Sequence, residues 1–209
     1  MPALETVLLF MTAALALNMT PGPSVMYVMS RSLGQGRTAG LVSALGLGTG
    51  SLLHAVAATL GLSVVIAYSP AAYAMLKYLG AAYLVYLGVT ILRQRTIQLA
   101  EVGPPGLSLA RVYWQGALTE ILNPKIAVFF LSFLPQFVDP TRGSVAGQTL
   151  FFGLLFHVTG VPINMAVAVL GSSIAAWFAR NPLWERIRNG LAGLVLIGLG
   201  VRLAFSERR

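Results

Sequence analysis

The chain alternates long apolar stretches with short polar ones, and this pattern predicts a series of helices that cross a membrane. About 20 consecutive apolar residues span a hydrocarbon core, and several stretches reach or exceed that length. The longest ones hold more than one crossing, and Ser69-Pro70 divides one of them because proline favours a turn there. The six predicted crossings are residues 4–30, 39–68, 71–92, 113–136, 144–173 and 187–206.

The amino-acid composition also indicates that the chain lies in a lipid bilayer. Of the 209 residues, 56% are hydrophobic and 10% are charged, and the mean hydropathy is +0.78. The charged fraction of a soluble domain is usually about 25%. We therefore expect an all-α polytopic membrane protein, with residues 1–209 forming one membrane domain in contact with lipid. The net charge of +8 is scattered between the helices, so we expect no nucleic-acid partner.

The two halves of the chain repeat one pattern at an offset of 103 residues. Aligned without gaps, residues 14–65 and 117–168 are identical at 12 of 52 positions, where so skewed a composition would give about five by chance. The matched pairs include Pro21 with Pro124, Gly50 with Gly153 and His54 with His157. We therefore predict two repeats of three helices, residues 4–92 and 113–206, joined by a linker over residues 94–110.

An odd number of crossings in each repeat places the second repeat upside down in the membrane. Such inverted repeats suit alternating access, although they also occur in channels. The distribution of Lys and Arg favours an N-out, C-out topology, because eight arginines then fall on the inside. These eight are Arg31, Arg37, Arg93, Arg95, Arg111, Arg180, Arg186 and Arg188.

Pro21 and Pro124 interrupt the first and the fourth predicted helices. Each removes a backbone donor, so the helix breaks and its freed polar groups must face protein, water or a ligand. The N-terminus of a half-helix is positive and could receive a carboxylate, and Lys125 adds a full charge there. A lysine at the centre of the membrane costs about 2.5–3.5 kcal/mol, which disfavours a lipid-facing position. The alternative is that both prolines only kink packed helices.

Further polar residues inside the predicted crossings could carry chemistry. Glu120 is the only acid well inside the predicted crossings, and it could pair with Lys125, bind a substrate ammonium, titrate, or lie wetted near the inner surface. His54 and His157 occupy equivalent positions and could couple protons to transport, or simply form hydrogen bonds between helices. Asn164 and Thr49, on the same helices, are similarly ambiguous.

The residue inventory excludes several classes of protein. The chain has no cysteine, so it offers no disulfide, thiolate metal site or dithiol chemistry. It also lacks the H-E-x-x-H, G-x-S-x-G and P-loop motifs, so we expect neither an enzyme nor an ATP-driven pump, and no metal or cofactor.

Three motifs resemble the LysE/RhtB family of bacterial amino-acid exporters. They are TPGPSVMYVMSRSLGQGRTAGL, LKYLGAAYLVYLGV and NPKIAVFFLSFLPQFV. The likeness covers nearly the whole chain, and it implies a six-helix inner-membrane protein that exports amino acids or their relatives by means of ion gradients. It also implies a homodimer. Ser24 stands where the family usually has asparagine, and Glu120 stands where an uncharged residue is expected, so both departures bear on the substrate.

The resulting hypothesis is a secondary transporter that exports small zwitterionic amino acids by alternating access, coupled to the proton gradient. Backbone amides after either proline, with Lys125, receive the carboxylate, and Asn18, Thr20 or Glu120 meets the amine. The predicted binding residues are Asn18, Thr20, Pro21, Gly22, Pro23, Glu120, Asn123, Pro124 and Lys125, and the candidates for proton coupling are His54, His157 and Glu120.

Three rival functions were weighed against this hypothesis. Related thiol-electron carriers need cysteines, which this chain lacks. An inorganic or metal-ion exporter of the same architecture could use His54 and His157, but hard cations usually need several carboxylates and only Glu120 is available. A channel would show flux that is not coupled to an ion gradient.

Overall fold

The computed structural model describes residues 2–20, 22–68, 70–93 and 106–205. The regular elements in these segments are all helical, as predicted. The α-helices are α1 Leu4–Met19, α2 Pro23–Gln35, α3 Arg37–Tyr68, α4 Pro70–Arg93, α5 Leu109–Ile121, α6 Pro124–Val128, α7 Val145–Arg180 and α8 Pro182–Phe205.

The first predicted crossing is a bent pair of helices. α1 and α2 meet at an angle of 47°, and the break between them contains Pro21, which lies outside the described residues. α2 begins with Pro23, whose fixed φ suits the first helical turn. It continues five residues past the predicted end and stops at Gly36, where φ is +87°, a value that glycine adopts without a steric penalty.

The fourth predicted crossing is also a bent pair. α5 and the segment Pro124–Phe137 meet at 46°. α5 begins at Leu109, four residues before the predicted start, because the side chain of Ser108 caps it by accepting from the N–H of Arg111. After α6 the chain forms a π-helical turn over Phe129–Phe133 and a 3-10 turn over Leu134–Phe137. Both predicted interruptions are therefore present as bends.

The other long helices are α3, α4, α7 and α8. α3 and α7 each contain a stretch that is long and apolar enough to cross a membrane, namely Arg37–Gly61 and Val145–Gly171. Within the described segments, the bent pairs raise the number of candidate spans to four. The remaining two predicted crossings coincide with α4 and α8, and six crossings in inverted repeats remain a prediction.

Equivalent helices of the two halves pack against each other. α3 lies against α7, and α4 lies against α8. The α4–α8 contact depends on small residues, since a Cβ on Gly88 would lie 2.6 Å from the carbonyl oxygen of Gly193, and a Cβ on Gly193 would lie 2.8 Å from that of Gly88. The α4 and α8 backbones can therefore approach closely enough for direct contact.

A cluster of aromatic rings fills the space beside the second break. Phe10 of α1 packs against Phe129 and Phe152, with ring centroids 5.7 and 4.8 Å apart, and Phe129 lies 4.9 Å from Phe156. These four side chains are at most 1% exposed. This apolar cluster closes one side of the region where the two broken helices meet.

Candidate functional site

Lys125 connects the two breaks. Its ammonium donates to the backbone carbonyls of Leu17 and Thr20 at the end of α1, with both distances 3.1 Å. Because the C-terminus of a helix carries partial negative charge, a cation is stabilised at this position. The side chain is 5% exposed. In this conformation the Lys125 ammonium therefore donates hydrogen bonds to backbone carbonyls at the end of α1.

Gly22 makes room for this lysine. A Cβ at Gly22 would lie 3.3 Å from the Lys125 nitrogen and 3.6 Å from its Cε, which is tight for any side chain. Gly22 and Lys125 are also equivalent positions at the 103-residue offset. The two halves therefore touch through matched positions that carry different residues.

The carbonyl groups that the two prolines cannot bond accept one backbone N–H each, from Thr20 and Asn123, and also receive side-chain donors. Proline has no N–H to offer to the carbonyl four residues earlier, which leaves the carbonyls of Leu17 and Glu120 without their usual helical partner. Lys125 donates to the first. His54 of α3 donates from Nε2 to the second, at 3.1 Å. This contact gives His54 a structural partner.

A buried chain of hydrogen bonds joins the beginning of α6 to Glu120. Asn123 caps α6, since its Oδ1 accepts from the backbone N–H of Lys125 at 3.0 Å. Its Nδ2 donates to Ser24 Oγ at 2.9 Å, and Ser24 Oγ in turn donates to the carboxylate of Glu120. The amide, the hydroxyl and the carboxylate therefore orient one another across the two breaks.

Glu120 is 4% exposed, so it is not a wetted residue at the surface of the protein. The structure records no salt bridge within 4.0 Å between its carboxylate and the Lys125 ammonium, both of which lie in the described segments. The two groups face different partners: Lys125 bonds to α1, whereas Glu120 bonds to Ser24 of α2.

A small cavity lies directly beside Glu120. Its volume is about 10 Å³, which is room for roughly one water. An amino acid would need the surrounding helices to move apart. The lining residues among those described are Asn18, Leu47, Gly48, Ser51, Glu120, Phe156, Gly160, Val161 and Asn164.

The predicted binding residues fall into two layers. Asn18 and Glu120 line the cavity directly. The residues around the breaks are not on its wall; these are Thr20, Gly22, Pro23, Asn123, Pro124 and Lys125. Asn123 reaches Glu120 through Ser24, and Lys125 bonds to Thr20. Pro21 lies outside the described residues.

The two matched histidines have different partners. His54 bonds to the carbonyl of Glu120 and stacks on Phe130, with ring centroids 5.8 Å apart. His157 places Nδ1 2.9 Å from Ser51 Oγ, and that hydroxyl donates to the carbonyl of Gly48 at 2.8 Å. Both rings are half-buried. His157 therefore orients Ser51 on the cavity wall, whereas His54 stabilises the break.

Several cavity residues were not among the predicted binding residues. Ser51 and Asn164 supply polar groups, and Gly48 and Gly160 bring the backbone close. A Cβ on Gly160 would lie 3.1 Å from the Oδ1 of Asn18. One feature of the sequence could have indicated these cavity residues: Pro162 stands inside α7, between Gly160 and Asn164.

Arg31 has a different environment from the one expected of a basic residue at a helix end. It is 8% exposed and bonds to the side-chain oxygens of Gln35 and Gln115 at 3.1 and 3.0 Å. Its Nε has no partner. The guanidinium also lies 5.4 Å from the centre of the Tyr27 ring, so it packs between α2 and α5 among neutral amides and an aromatic side chain.

The helices are apolar, two helix pairs are bent, and polar groups are gathered around a cavity inside the bundle. This arrangement defines a multi-pass membrane protein. Within the described residues, no group of three His, Cys, Asp or Glu side chains could hold a metal ion. Comparison with known proteins assigns the family.

A family profile described as LysE type translocator matches residues 15–207, and the chain belongs to this family. The uncharacterized membrane protein YrhP of Bacillus subtilis is 30% identical over 97% of this chain and 100% of its own. The homoserine/homoserine lactone efflux protein of Salmonella typhimurium is 28% identical over 95% of each chain. The leucine efflux protein of that species is 24% identical over 93% of this chain and 92% of its own. No solved structure matches significantly. The family is one of translocators, not of enzymes, and the sequence-based recognition of it is confirmed.

Proposed function

We propose that this translocator exports amino acids or their derivatives across the inner membrane by alternating access, coupled to the proton gradient. The observation that carries the proposal is the cavity between the broken helices, whose wall contains Asn18 and the buried carboxylate of Glu120. Buried ionisable groups within a membrane protein mark substrate or proton pathways. The names of two relatives, a leucine efflux protein and a homoserine/homoserine lactone efflux protein, support the same class of substrate.

We propose Glu120 as the group that couples transport to protons. A buried carboxylate needs either a proton or a nearby cation for neutrality. Ser24 donates one hydrogen bond to Glu120, and the Lys125 ammonium attracts the carboxylate while its own hydrogen bonds go to α1. His54 and His157 remain candidates for the proton path, but each already has a structural hydrogen bond.

The residues of the two breaks form the moving part in this proposal. Thr20, Gly22 and Pro23 on one side face Asn123, Pro124 and Lys125 on the other, and Pro21 completes the first break. Opening the cavity would separate Lys125 from the α1 carbonyls and free its ammonium. A substrate carboxylate could then meet that ammonium or the backbone amides after either proline.

Alternating access requires two gates that face opposite ways, and we propose six crossings in two inverted repeats with both termini outside. The contacts between matched helices, α3 with α7 and α4 with α8, support this arrangement. The contact of Gly22 with Lys125 also joins equivalent positions. A homodimer within the lipid bilayer is part of the same proposal. No observation in the described residues favours a metal-ion exporter.

Counterflow in liposomes tests the function. Purified protein is reconstituted with each unlabelled amino acid inside, and entry of the labelled form is measured with and without a pH gradient. We expect counterflow for a subset of amino acids with small uncharged side chains, and a dependence of net flux on the gradient. Flux that ignores the gradient would indicate a channel or an uncoupled carrier, and no counterflow for any compound would contradict the proposal.

A further inference from the structure

One face of α2 carries a row of polar side chains. Ser24, Tyr27, Arg31 and Gln35 stand at intervals of three or four residues, which places them on the same side of the helix. Each of them except Gln35 bonds to a residue of α5, and Gln35 bonds to the segment just before α5. We call this contact between the row and α5 the α2–α5 seam. Its first member, Ser24, bonds to Glu120 on the cavity wall.

Hydrogen bonds continue along the seam away from the cavity. The Tyr27 hydroxyl donates to the backbone carbonyl of Val112 at 2.7 Å. At the far end, Gln35 Nε2 donates to the carbonyl of Leu107 at 3.0 Å, two residues before α5 begins. Hydrogen bonds therefore close the seam from the cavity to the last residue of α2 and the first turn of α5.

The seam also borders the cavity through Gly116 of α5. A Cβ at Gly116 would lie 3.3 Å from Tyr27 Cε1 and 3.4 Å from the backbone nitrogen of Leu47, a residue of the cavity wall. In the proposed N-out topology, the end of α2 and the start of α5 lie on the inside. A movement of α2 away from α5 would thus connect the cavity with the inside of the cell.

Arg31 brings a positive charge into the seam. Its side chain is 8% exposed, and no acid lies within 4.0 Å of it among the side chains that the structure describes. Of its N–H groups, one bonds to Gln35 and one to Gln115, and that of Nε has no partner. A buried charge is costly unless it is paired. The guanidinium therefore has both a charge and a donor to offer to an anion.

We infer that the α2–α5 seam is the inner gate of the translocator and that Arg31 binds the carboxylate of the substrate when this gate opens. The planar fork of a guanidinium matches a carboxylate, which can accept two parallel hydrogen bonds from it. The carboxylate then passes to Lys125, whose ammonium becomes free when the breaks separate. This inference rests on the proposed function, since it takes the substrate to be an amino acid that enters from the inside.

Charged thiol reagents measure whether the seam selects anions. The chain has no cysteine, so Ser43→Cys places a single thiol in the full-length protein. Ser43 of α3 is fully buried behind the seam, where its side chain interacts with Tyr27 and its carbonyl oxygen would lie 2.8 Å from a Cβ on Gly116. The reagents are the sulfonatoethyl and trimethylammonioethyl methanethiosulfonates, one an anion and one a cation. Both are added to inside-out membrane vesicles at constant ionic strength, and the rate of modification is read from the mass of the purified protein.

The ratio of the anion's rate to the cation's rate should fall at least tenfold when Arg31→Gln is added to Ser43→Cys, since a guanidinium attracts one reagent and repels the other. Arg31→Lys should keep most of the ratio because it keeps the charge. Arg37→Gln is the matched control, since Arg37 is an exposed arginine at the start of α3, and it should leave the ratio unchanged. An unchanged ratio in Arg31→Gln would overturn the inference. So would the absence of any modification of Ser43→Cys from the inner face.

A second measurement keeps Arg31 in place and tests the carboxylate itself. Alanine, valine or leucine should lower the anion-to-cation ratio of Ser43→Cys, because its carboxylate occupies the guanidinium. The corresponding amides at the same concentration should not. Equal effects of acids and amides, or no effect of any amino acid, would overturn the assignment of the carboxylate to Arg31.

Counterflow in liposomes separates this inference from the proposed function. For the fastest of alanine, valine and leucine, the half-saturating concentration should rise at least tenfold in Arg31→Gln and less in Arg31→Lys. Wild-type half-saturation in Arg31→Gln would overturn the inference and leave the proposed export intact. Absence of counterflow in every protein, together with the expected fall in the reagent ratio, would contradict the proposed export and leave Arg31 as an anion-binding residue of the seam.

Discussion

At the residue scale, the ammonium of Lys125 determines how the two breaks meet. It donates to the Leu17 carbonyl, which also accepts from the Thr20 N–H, and to the carbonyl of Thr20. Two such charge-assisted bonds contribute about 3–6 kcal/mol, against a cost of about 2.5–3.5 kcal/mol for a lysine at membrane depth. The net contribution to stability is therefore small, and the main role of the residue is to join two segments that must separate.

Replacing Lys125 with Met should consequently impair export more than stability. We expect a loss of about 1 kcal/mol in the free energy of unfolding, which is the small difference between the two opposing terms. Export should fall at least tenfold, because the breaks are no longer joined. Melting temperature and liposome flux measure the two effects. Lys77→Met, near the start of α4, is the control, and unchanged export in Lys125→Met would contradict the assignment.

Asp139 allows a prediction for the loop after the second broken helix. Its carboxylate accepts from the hydroxyl of Thr141 at 2.6 Å and from the Thr141 N–H at 2.9 Å, and Arg142 lies 3.3 Å away. These hydrogen bonds, and then the nearby arginine, lower the pKa of Asp139 below its usual value.

A pKa that is lower in the folded state stabilises the fold above the unfolded pKa of about 3.9. This contribution is lost as the pH falls through the folded pKa. Asp139→Asn should therefore melt slightly below the wild type at pH 7, and the difference should disappear in acid. Melting curves of both proteins from pH 7 to pH 3 check this. A difference that grows on acidification would contradict the sign.

At the element scale, glycines set the distance between α3 and α5. A Cβ on Gly50 would lie 2.6 Å from the Cβ of Glu120 and 2.7 Å from the carbonyl oxygen of Ala117. Because the Ala117 carbonyl oxygen belongs to the backbone, it cannot move away by a change of side-chain rotamer. The helix that carries Glu120 is therefore held in place by a close approach that only glycine permits.

Gly50→Ala should destabilise the protein by about 1–3 kcal/mol, since it overpacks this contact. Gly61→Ala is a matched control in the same helix, because a Cβ there meets nothing within 4 Å. Replacing glycine with alanine in an open helical site stabilises by about 0.5–1 kcal/mol. Thermal melting of the two variants should thus show shifts of opposite sign. Equal shifts would contradict the close α3–α5 packing.

The sequence predicts the breaks better than it predicts their partners. Proline inside an apolar run removes a backbone hydrogen bond, so Pro124 indicates a break or a kink without any tertiary information, although α7 continues through Pro162. The partners of the freed carbonyls, Lys125 and His54, depend on which segments meet in space. Ser51 was not predicted and Asn164 stayed ambiguous, because a polar residue on a membrane helix has the same appearance in the sequence whether it lines a cavity or bonds to a neighbour.

At the scale of the whole molecule, the account requires opposite orientations of the two repeats. The bends of 47° and 46° are similar in size, as matched halves would have. Their chemistry differs, since glycine follows the first proline and lysine follows the second. Each half can therefore adopt the conformation of the other in the transport cycle. The charged residues Glu120 and Lys125 stay on the side of the second half.

Orientation can be measured directly because the chain has no cysteine of its own. Ser144 and Ser108 are both exposed, beyond the second broken helix and before α5 respectively. The N-out, C-out topology places Ser144 outside and Ser108 inside. An impermeant maleimide added to intact cells should label Ser144→Cys and should label Ser108→Cys only after permeabilisation. The reverse pattern would contradict the topology.

The central claim is that substrate and proton meet at Glu120 in the cavity between the broken helices. Its most direct test is amino-acid counterflow in liposomes that contain the wild-type protein, Glu120→Gln or the exposed control Glu5→Gln. A charged hydrogen bond contributes about 1.5–3 kcal/mol, so its loss predicts a rate at least tenfold lower. We predict this fall for Glu120→Gln and wild-type rates for Glu5→Gln. Wild-type counterflow with an unchanged response to the pH gradient in Glu120→Gln would contradict the account.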